Sequence, residues 1–259
     1  MQNKVEKQRE HFEAIAENYF CATQHPNCIA FFNRIWAGFL ALHPYILPED
    51  AKMLECMCGH GIAKDYLENT LHKNFRYSGF DYSQPLVDIA RRRMPGANVF
   101  LQDVTTFQSN AEYALIFLSG GLHHVFEQTK EVLERLYDAL IPGGYMLSAE
   151  PTYNNFLGGM IGEAIYKSSS KFEHESEKRY ALKELNAYYL NSGFTIVDQF
   201  YPGLLAYSIA VSAFCFPRIC VGSPALMERL IRIERPLYRK WLGKKLSFCT
   251  ITLLRKPLN

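Results

Sequence analysis

The stretch Lys52-Met-Leu-Glu-Cys-Met-Cys-Gly-His-Gly-Ile-Ala-Lys-Asp-Tyr-Leu67 decides the fold. An apolar run ends in the acid Glu55. Gly59 and Gly61 follow, and Ile62, Tyr66 and Leu67 then fall on one helical face. This pattern predicts a buried strand, a tight turn and a helix N-terminus. Glycine suits such a turn because the backbone bends sharply and a ligand approaches with no Cβ in the way. The N–H groups at the helix start make it a ligand-binding point. A pyrophosphate turn carries a third glycine for close helix–strand packing, but here Lys64 stands in that place, which speaks against a nicotinamide dinucleotide. No Gly-Lys-Ser/Thr follows, so a P-loop is excluded.

Downstream, strands ending on the same side continue the pattern. Phe75–Asp81 is a second strand that ends in an acid about twenty residues beyond the glycines, the spacing at which a carboxylate takes ribose hydroxyls. Ser83 is a suitable N-cap for the helix after it, and Arg91-Arg-Arg93 reads as a solvated helix end. Asn98–Asp103 is a third strand. Tyr113–Ser119 is apolar throughout, as a central parallel strand is, and leads into Gly120-Gly-Leu-His-His-Val125. A helix over 128–140 stops at Ile141-Pro-Gly-Gly144, and Tyr145–Glu150 is the fifth strand.

These four motifs, in this order, resemble class I S-adenosylmethionine (SAM) methyltransferases of the small-molecule branch. The resemblance covers about residues 50–200 and the last strand. It implies a doubly wound, mostly parallel seven-stranded sheet, with the final two strands antiparallel at the edge. It also implies SAM as cofactor and S-adenosylhomocysteine as product. Carried over residue by residue, it places Glu55, Gly59, Gly61, Asp81 and Tyr82 at the cofactor, Asp103 and Val104 at the adenine, and Ser119 and Gly120 at the methionine ammonium. Family members often carry an acid where this chain has Ala114, a position far from the chemistry.

For catalysis the chain offers His123 and His124, either of which titrates near neutrality and suits a general base. Neighbouring side chains diverge, so at most one of the pair is expected to face the pocket, and His124 is favoured. Tyr19 stands where the family often places a tyrosine at the site. Glu150 is either an acceptor contact or a solvated strand end, and Tyr153 and Trp36 are further acceptor candidates. No Asn-Pro-Pro-Tyr-like tetrad follows the fourth strand, which argues against amide or nucleobase N-methylation. No cysteine stands at that strand end, which argues against covalent cytosine chemistry.

The chain has 259 residues, 48% of them hydrophobic and 21% charged, enough for one domain with additions and a sizeable core. A net charge of +2 gives no case for a nucleic-acid partner. Seven cysteines at scattered positions do not make a disulfide framework, and none pairs at zinc spacing, so no metal is expected and a reducing cytoplasm is the simplest setting. The charged N-terminus is unlike a signal peptide, and the apolar run Leu204 to Pro217 is too short to span a bilayer.

The expected organisation is an N-terminal helical lid over 1–48 and a core over 49–259, with an insert at about 202–245 capping the pocket. Helices are expected over 3–20 and 29–42, and a loop with a short helix over 152–177. The insert opens with the apolar Leu204–Phe216, and its second half is basic. With Phe20, Phe31, Phe32 and Trp36 opposite, the cap suits a hydrophobic or aromatic small acceptor, methylated on oxygen or nitrogen. Three alternatives remain open. The insert forms a homodimer interface, or it contacts a membrane through 204–245 to reach a lipid-like or quinone-like acceptor, or the chain binds SAM without catalysis.

Overall fold

The computed structural model describes residues 4–154, 179–215 and 222–258. Strands β1 (Ala51–Cys56), β2 (Phe75–Asp81), β3 (Asn98–Leu101), β4 (Tyr113–Ser119), β5 (Leu140–Tyr153), β7 (Thr195–Phe200) and β8 (Cys249–Arg255) lie in the order β3-β2-β1-β4-β5-β8-β7. β1 through β5 are mutually parallel, whereas β8 runs antiparallel to both β5 and β7. A two-residue strand, β6 (Tyr180–Ala181), pairs with the end of β5. This is the doubly wound sheet expected from the sequence. Its order reverses between β1 and β4, the switch point at which such sheets bind ligands beyond the strand ends.

Alternation along the central strands builds the two faces. Met53, Leu115, Phe117 and Leu147 point to one side. There they meet α2 (Pro26–Leu40), α3 (Ala63–Leu71) and α4 (Gln84–Arg93), with Met227 and Ile231 of the insert. Leu54, Cys56, Ile116, Leu118 and Met146 point to the other. Here α5 (Thr129–Ala139) and α6 (Leu182–Asn191) cover them. α1 (Lys4–Thr23) lies apart, where Phe12 and Ala16 pack on Leu86 and Ile89 of α4.

Several boundaries move for local reasons. α2 begins at Pro26, not Ile29, because proline suits a first helical position and the His25 side chain accepts the Asn27 N–H at 3.2 Å. β3 ends at Leu101 because Asp103 turns the chain, its Oδ1 accepting the Thr105 N–H at 2.8 Å. The Pro-Gly-Gly stretch does not separate helix from strand. It lies within β5, with Gly143 at φ +78° and its N–H donated to the Lys256 carbonyl.

The insert forms α7 (Leu205–Cys215), α8 (Pro224–Glu234), a 3₁₀ turn and α9 (Trp241–Leu246). The expected loop over 152–177 falls mostly outside the described residues, as does Phe216 at the end of the apolar run. Among the described residues no helix is long and apolar enough to cross a membrane.

Candidate active site

The turn after β1 is built from inside. Glu55 is buried, and its carboxylate accepts the Ala63 N–H at the start of α3 (3.2 Å to each oxygen) and the Tyr77 hydroxyl at 2.8 Å. Burial pushes its pKa up to about 7. Gly59 and Gly61 have φ of +52° and +76°, which a side chain would strain. Arg93 clamps the outer side of the turn. Its guanidinium donates to the His60 carbonyl at 2.6 Å, the Gly61 carbonyl at 3.0 Å and Asp65 at 2.6 Å. The third arginine of Arg91-Arg-Arg93 is therefore a strut of the turn rather than a solvated helix end.

Asp81 faces the same turn. Its Oδ2 accepts the Gly59 N–H at 2.9 Å and its Oδ1 the Ser83 N–H at 3.0 Å, and burial raises its pKa to about 6. Beside it, Tyr82 packs in the small cluster under α1.

A cavity of about 720 Å³ opens above β1 and β4. Glu55, Gly59, Ser119, Gly120, His123 and His124 line its floor. Its walls include Phe12, Tyr19, Phe32 and Trp36 from α1 and α2, Tyr207 and Val211 from α7, and Phe248 before β8. Of the residues singled out from the sequence, Gly61, Asp81, Tyr82, Asp103, Val104, Glu150 and Tyr153 do not line it, and neither do Phe20 and Phe31, which were expected to form its opposite wall. Asp103 and Val104 stand beyond β3, Val104 buried, and Tyr153 carries the Arg179 guanidinium over its ring. Trp36 serves two surfaces at once. It lines the cavity and is buried against Tyr66, Phe117 and Phe39.

Glu150 is fully buried rather than a solvated strand end, it does not line the cavity, and its oxygens meet the segment that follows β4. They accept the N–H groups of Gly121 (3.0 Å), Leu122 (2.9 Å) and His123 (3.4 Å), and contact His123 Nδ1 at 2.9 Å. A carboxylate only accepts, so Nδ1 carries the proton and Nε2 is the basic nitrogen of His123. The roles reverse in His124, whose Nδ1 receives the Gln8 amide at 2.6 Å, so its proton sits on Nε2. The two rings lie 3.9 Å apart between centroids. Phe12 stands edge-on to both His124 on the floor and Tyr19 on the wall.

Sequence reasoning missed His60, although it lies between the two glycines. Its Nε2 is 3.0 Å from Thr23 Oγ1, and that hydroxyl donates to the Phe20 carbonyl, so the imidazole is the donor in this contact. Burial, with Arg93 nearby, lowers its pKa to about 4 and keeps it neutral. The end of α1 is thus fastened to the turn itself.

This sheet order, with a glycine turn after β1, an acid ending β2 and an apolar cavity at the switch point, defines a class I SAM-dependent methyltransferase fold. Residues 53–144 match the family model described as a methyltransferase domain. Over 106 residues the chain is 30% identical to the phthiotriol/phenolphthiotriol dimycocerosates methyltransferase of Mycobacterium tuberculosis, covering 40% of this chain and 39% of that one. It is equally similar, at 30% over 106 residues, to the trans-aconitate 2-methyltransferase of Variovorax paradoxus, covering 40% of each chain. The match thus spans about two fifths of the length of these relatives. Among solved structures, the chain complexed with the Haloferax volcanii Trm112 methyltransferase activator superposes with a TM-score of 0.64 at 19% identity, covering 96% of this chain and 97% of that one. A SAM-dependent methyltransferase from Thermotoga maritima gives 0.60 at 15% identity, covering 95% and 99%.

SAM is the cofactor of this fold, and the residues present fit it. A Cβ built on Gly59 would meet nothing nearer than Tyr19 Cε1 at 3.9 Å, so the turn leaves a cradle open to the cavity. Gly120, at φ +67°, lies across the floor, and Glu55 gives that floor a carboxylate suited to a cationic ligand.

Proposed function

We propose that the chain catalyses methyl transfer from SAM to a small hydrophobic or aromatic acceptor through oxygen or nitrogen, with His123 as general base. One observation carries this reading: a carboxylate-held imidazole faces an apolar cavity whose floor is the glycine turn. When bound, SAM supplies a methyl group on an electrophilic sulfonium and leaves as S-adenosylhomocysteine. The turn at Gly59, with Ser119 and Gly120, holds the methionine end, and Asp81 supports the turn from below while accepting from the ribose. Asp103 and Val104 serve the adenine. Phe32, Trp36 and Tyr207 orient the acceptor and exclude water, which favours a reaction governed by alignment. His123 Nε2 would take up the proton that the acceptor gives up when it is methylated.

α1 and α2 act as a lid. Gln8, Phe12, Tyr19 and Thr23 reach His124, His60 of the turn and the cavity from one helix. The insert completes the cap through α7.

Calorimetry with S-adenosylhomocysteine, followed by transfer of labelled methyl from SAM into panels of apolar phenols, amines and carboxylic acids, tests the reading. Binding and turnover with His123-dependent kcat are expected. Binding without turnover of any acceptor would leave a SAM-binding protein instead. A second reading, a lipid-like acceptor met at a membrane, is favoured by the exposed basic and apolar surface of the insert.

A further inference from the structure

From Arg232 to Ser247 the chain carries six basic residues and one acid, leaving 22 basic and 25 acidic residues elsewhere. A protein that is otherwise slightly acidic thus concentrates positive charge on one short segment. The single acid, Glu234, is buried, where it accepts the Ala206 N–H at 3.1 Å and the Tyr238 hydroxyl at 3.1 Å, so it neutralises nothing at the surface. No carboxylate occurs from Arg235 to Ser247.

Large apolar side chains stand among these cations. Ile233 is 70% exposed, Trp241 66%, Leu246 50% and Leu242 43%. Local geometry fixes the direction of α9. A Cβ on Gly243 would lie 2.0 Å from the Leu237 carbonyl oxygen, so α9 is pressed by its glycine onto the preceding turn. Trp241 with Lys245, and Leu242 with Leu246, are spaced one turn apart along it. The Lys245 ammonium sits 4.3 Å over the Trp241 ring, the pairing of an aromatic plane with a cation that suits an interface between water and hydrocarbon. Two residues past Leu246, Phe248 lines the cavity, so the surface runs directly into the wall of the candidate active site.

We propose that the α8–α9 face docks this chain peripherally on an anionic phospholipid bilayer, with Trp241, Leu242 and Leu246 entering the interface and the cations meeting lipid phosphates. Charge complementarity selects this occupant. A ring of like charge repels a second copy of the same face, whereas a bilayer offers both hydrocarbon and negative charge. The docking deepens the proposed methyl transfer, because it would bring the cavity to acceptors that partition into membranes.

The chain's two tryptophans make the test direct. Trp36 is 2% exposed and reports no change, so a shift in emission belongs to Trp241. The full chain, without SAM or acceptor, is mixed with phosphatidylcholine vesicles with and without phosphatidylglycerol. Co-sedimentation with the anionic vesicles only, a blue-shifted emission and quenching by brominated lipid are expected, all weakened by salt. Reversing Lys240, Lys244 and Lys245 to Glu should lower partitioning on the order of a hundredfold, with S-adenosylhomocysteine affinity unchanged. Equal partitioning to both vesicle types, an unshifted Trp241, or a dimer in solution that Trp241→Ala dissolves would each overturn the docking. None of these results bears on methyl transfer, which is assayed separately on water-soluble acceptors.

Discussion

His123 Nδ1 lies 2.9 Å from Glu150 Oε2, and the same carboxylate binds three successive backbone N–H groups at the start of the segment that carries His123. One buried charge therefore fixes both the backbone that presents the imidazole and the tautomer it adopts.

Replacing His123 by Ala should lower kcat by about 10²–10⁴, the worth of a general base. His124→Ala should cost far less, because its Nδ1 is taken up by Gln8. Glu150→Gln leaves the size unchanged but sets an amide N–H against backbone donors. It should destabilise the fold by roughly 1–3 kcal/mol and lower kcat, with the KM for SAM little changed. Steady-state kinetics of the three variants decide the assignment, and an undiminished kcat in His123→Ala would sink it.

Asp81→Ala should weaken S-adenosylhomocysteine binding by on the order of 1.5–3 kcal/mol. Its carboxylate accepts the Gly59 N–H at 2.9 Å, so the loss combines a ribose contact with a loosened turn. Calorimetry on the folded variant measures it, and unchanged affinity would remove Asp81 from the cofactor site.

The turn at Gly59 and Gly61 and the acid ending β2 were legible because each is a local pattern, written within a few residues. Glu150 was not. Ser148, Glu150 and Thr152 of β5 alternate like a solvated strand face, yet all three are buried. Their polar groups find partners from distant elements: Tyr189 donates to Ser148 Oγ at 2.7 Å, and Thr152 meets Thr250 at 2.7 Å across the β5–β8 pair. Periodicity reports that one face is polar but not what lies against it. For the same reason Arg93 and His60 were misread or missed, since their partners are fixed only when α4 and α1 pack beside the turn.

Trp36 and Phe32 both line the cavity but differ in how much of each is committed to packing. Trp36 is 2% exposed among core aromatics, and Trp36→Ala should cost about 3–5 kcal/mol of stability. Phe32 lines the cavity while remaining partly exposed. Phe32→Ala should raise the KM for an apolar acceptor about tenfold, through loss of about 1.5 kcal/mol of apolar burial, while leaving SAM affinity unchanged. Chemical denaturation and acceptor titrations together check the pair, and a Phe32 variant with unaltered acceptor KM would place the acceptor elsewhere.

Glu55 makes stability depend on pH in an unusual direction. Its pKa rises from 4.5 in the unfolded chain to about 7 in the fold because burial disfavours the carboxylate. Between those values the folded state binds more protons than the unfolded state, so this group lowers stability as pH rises. Its contribution is most favourable below about 4.5 and fully lost above about 7, an effect on the order of 3 kcal/mol. Asp81, raised to about 6, acts in the same sense at lower pH, but it is present in both proteins when wild type is compared with Glu55→Gln. The amide has no proton to exchange, so the stability of Glu55→Gln relative to wild type should improve by about that amount from pH 5 to pH 8. Urea denaturation of both ligand-free proteins at a series of pH values reads this difference. Parallel curves would mean that Glu55 is already ionised in the fold at pH 5.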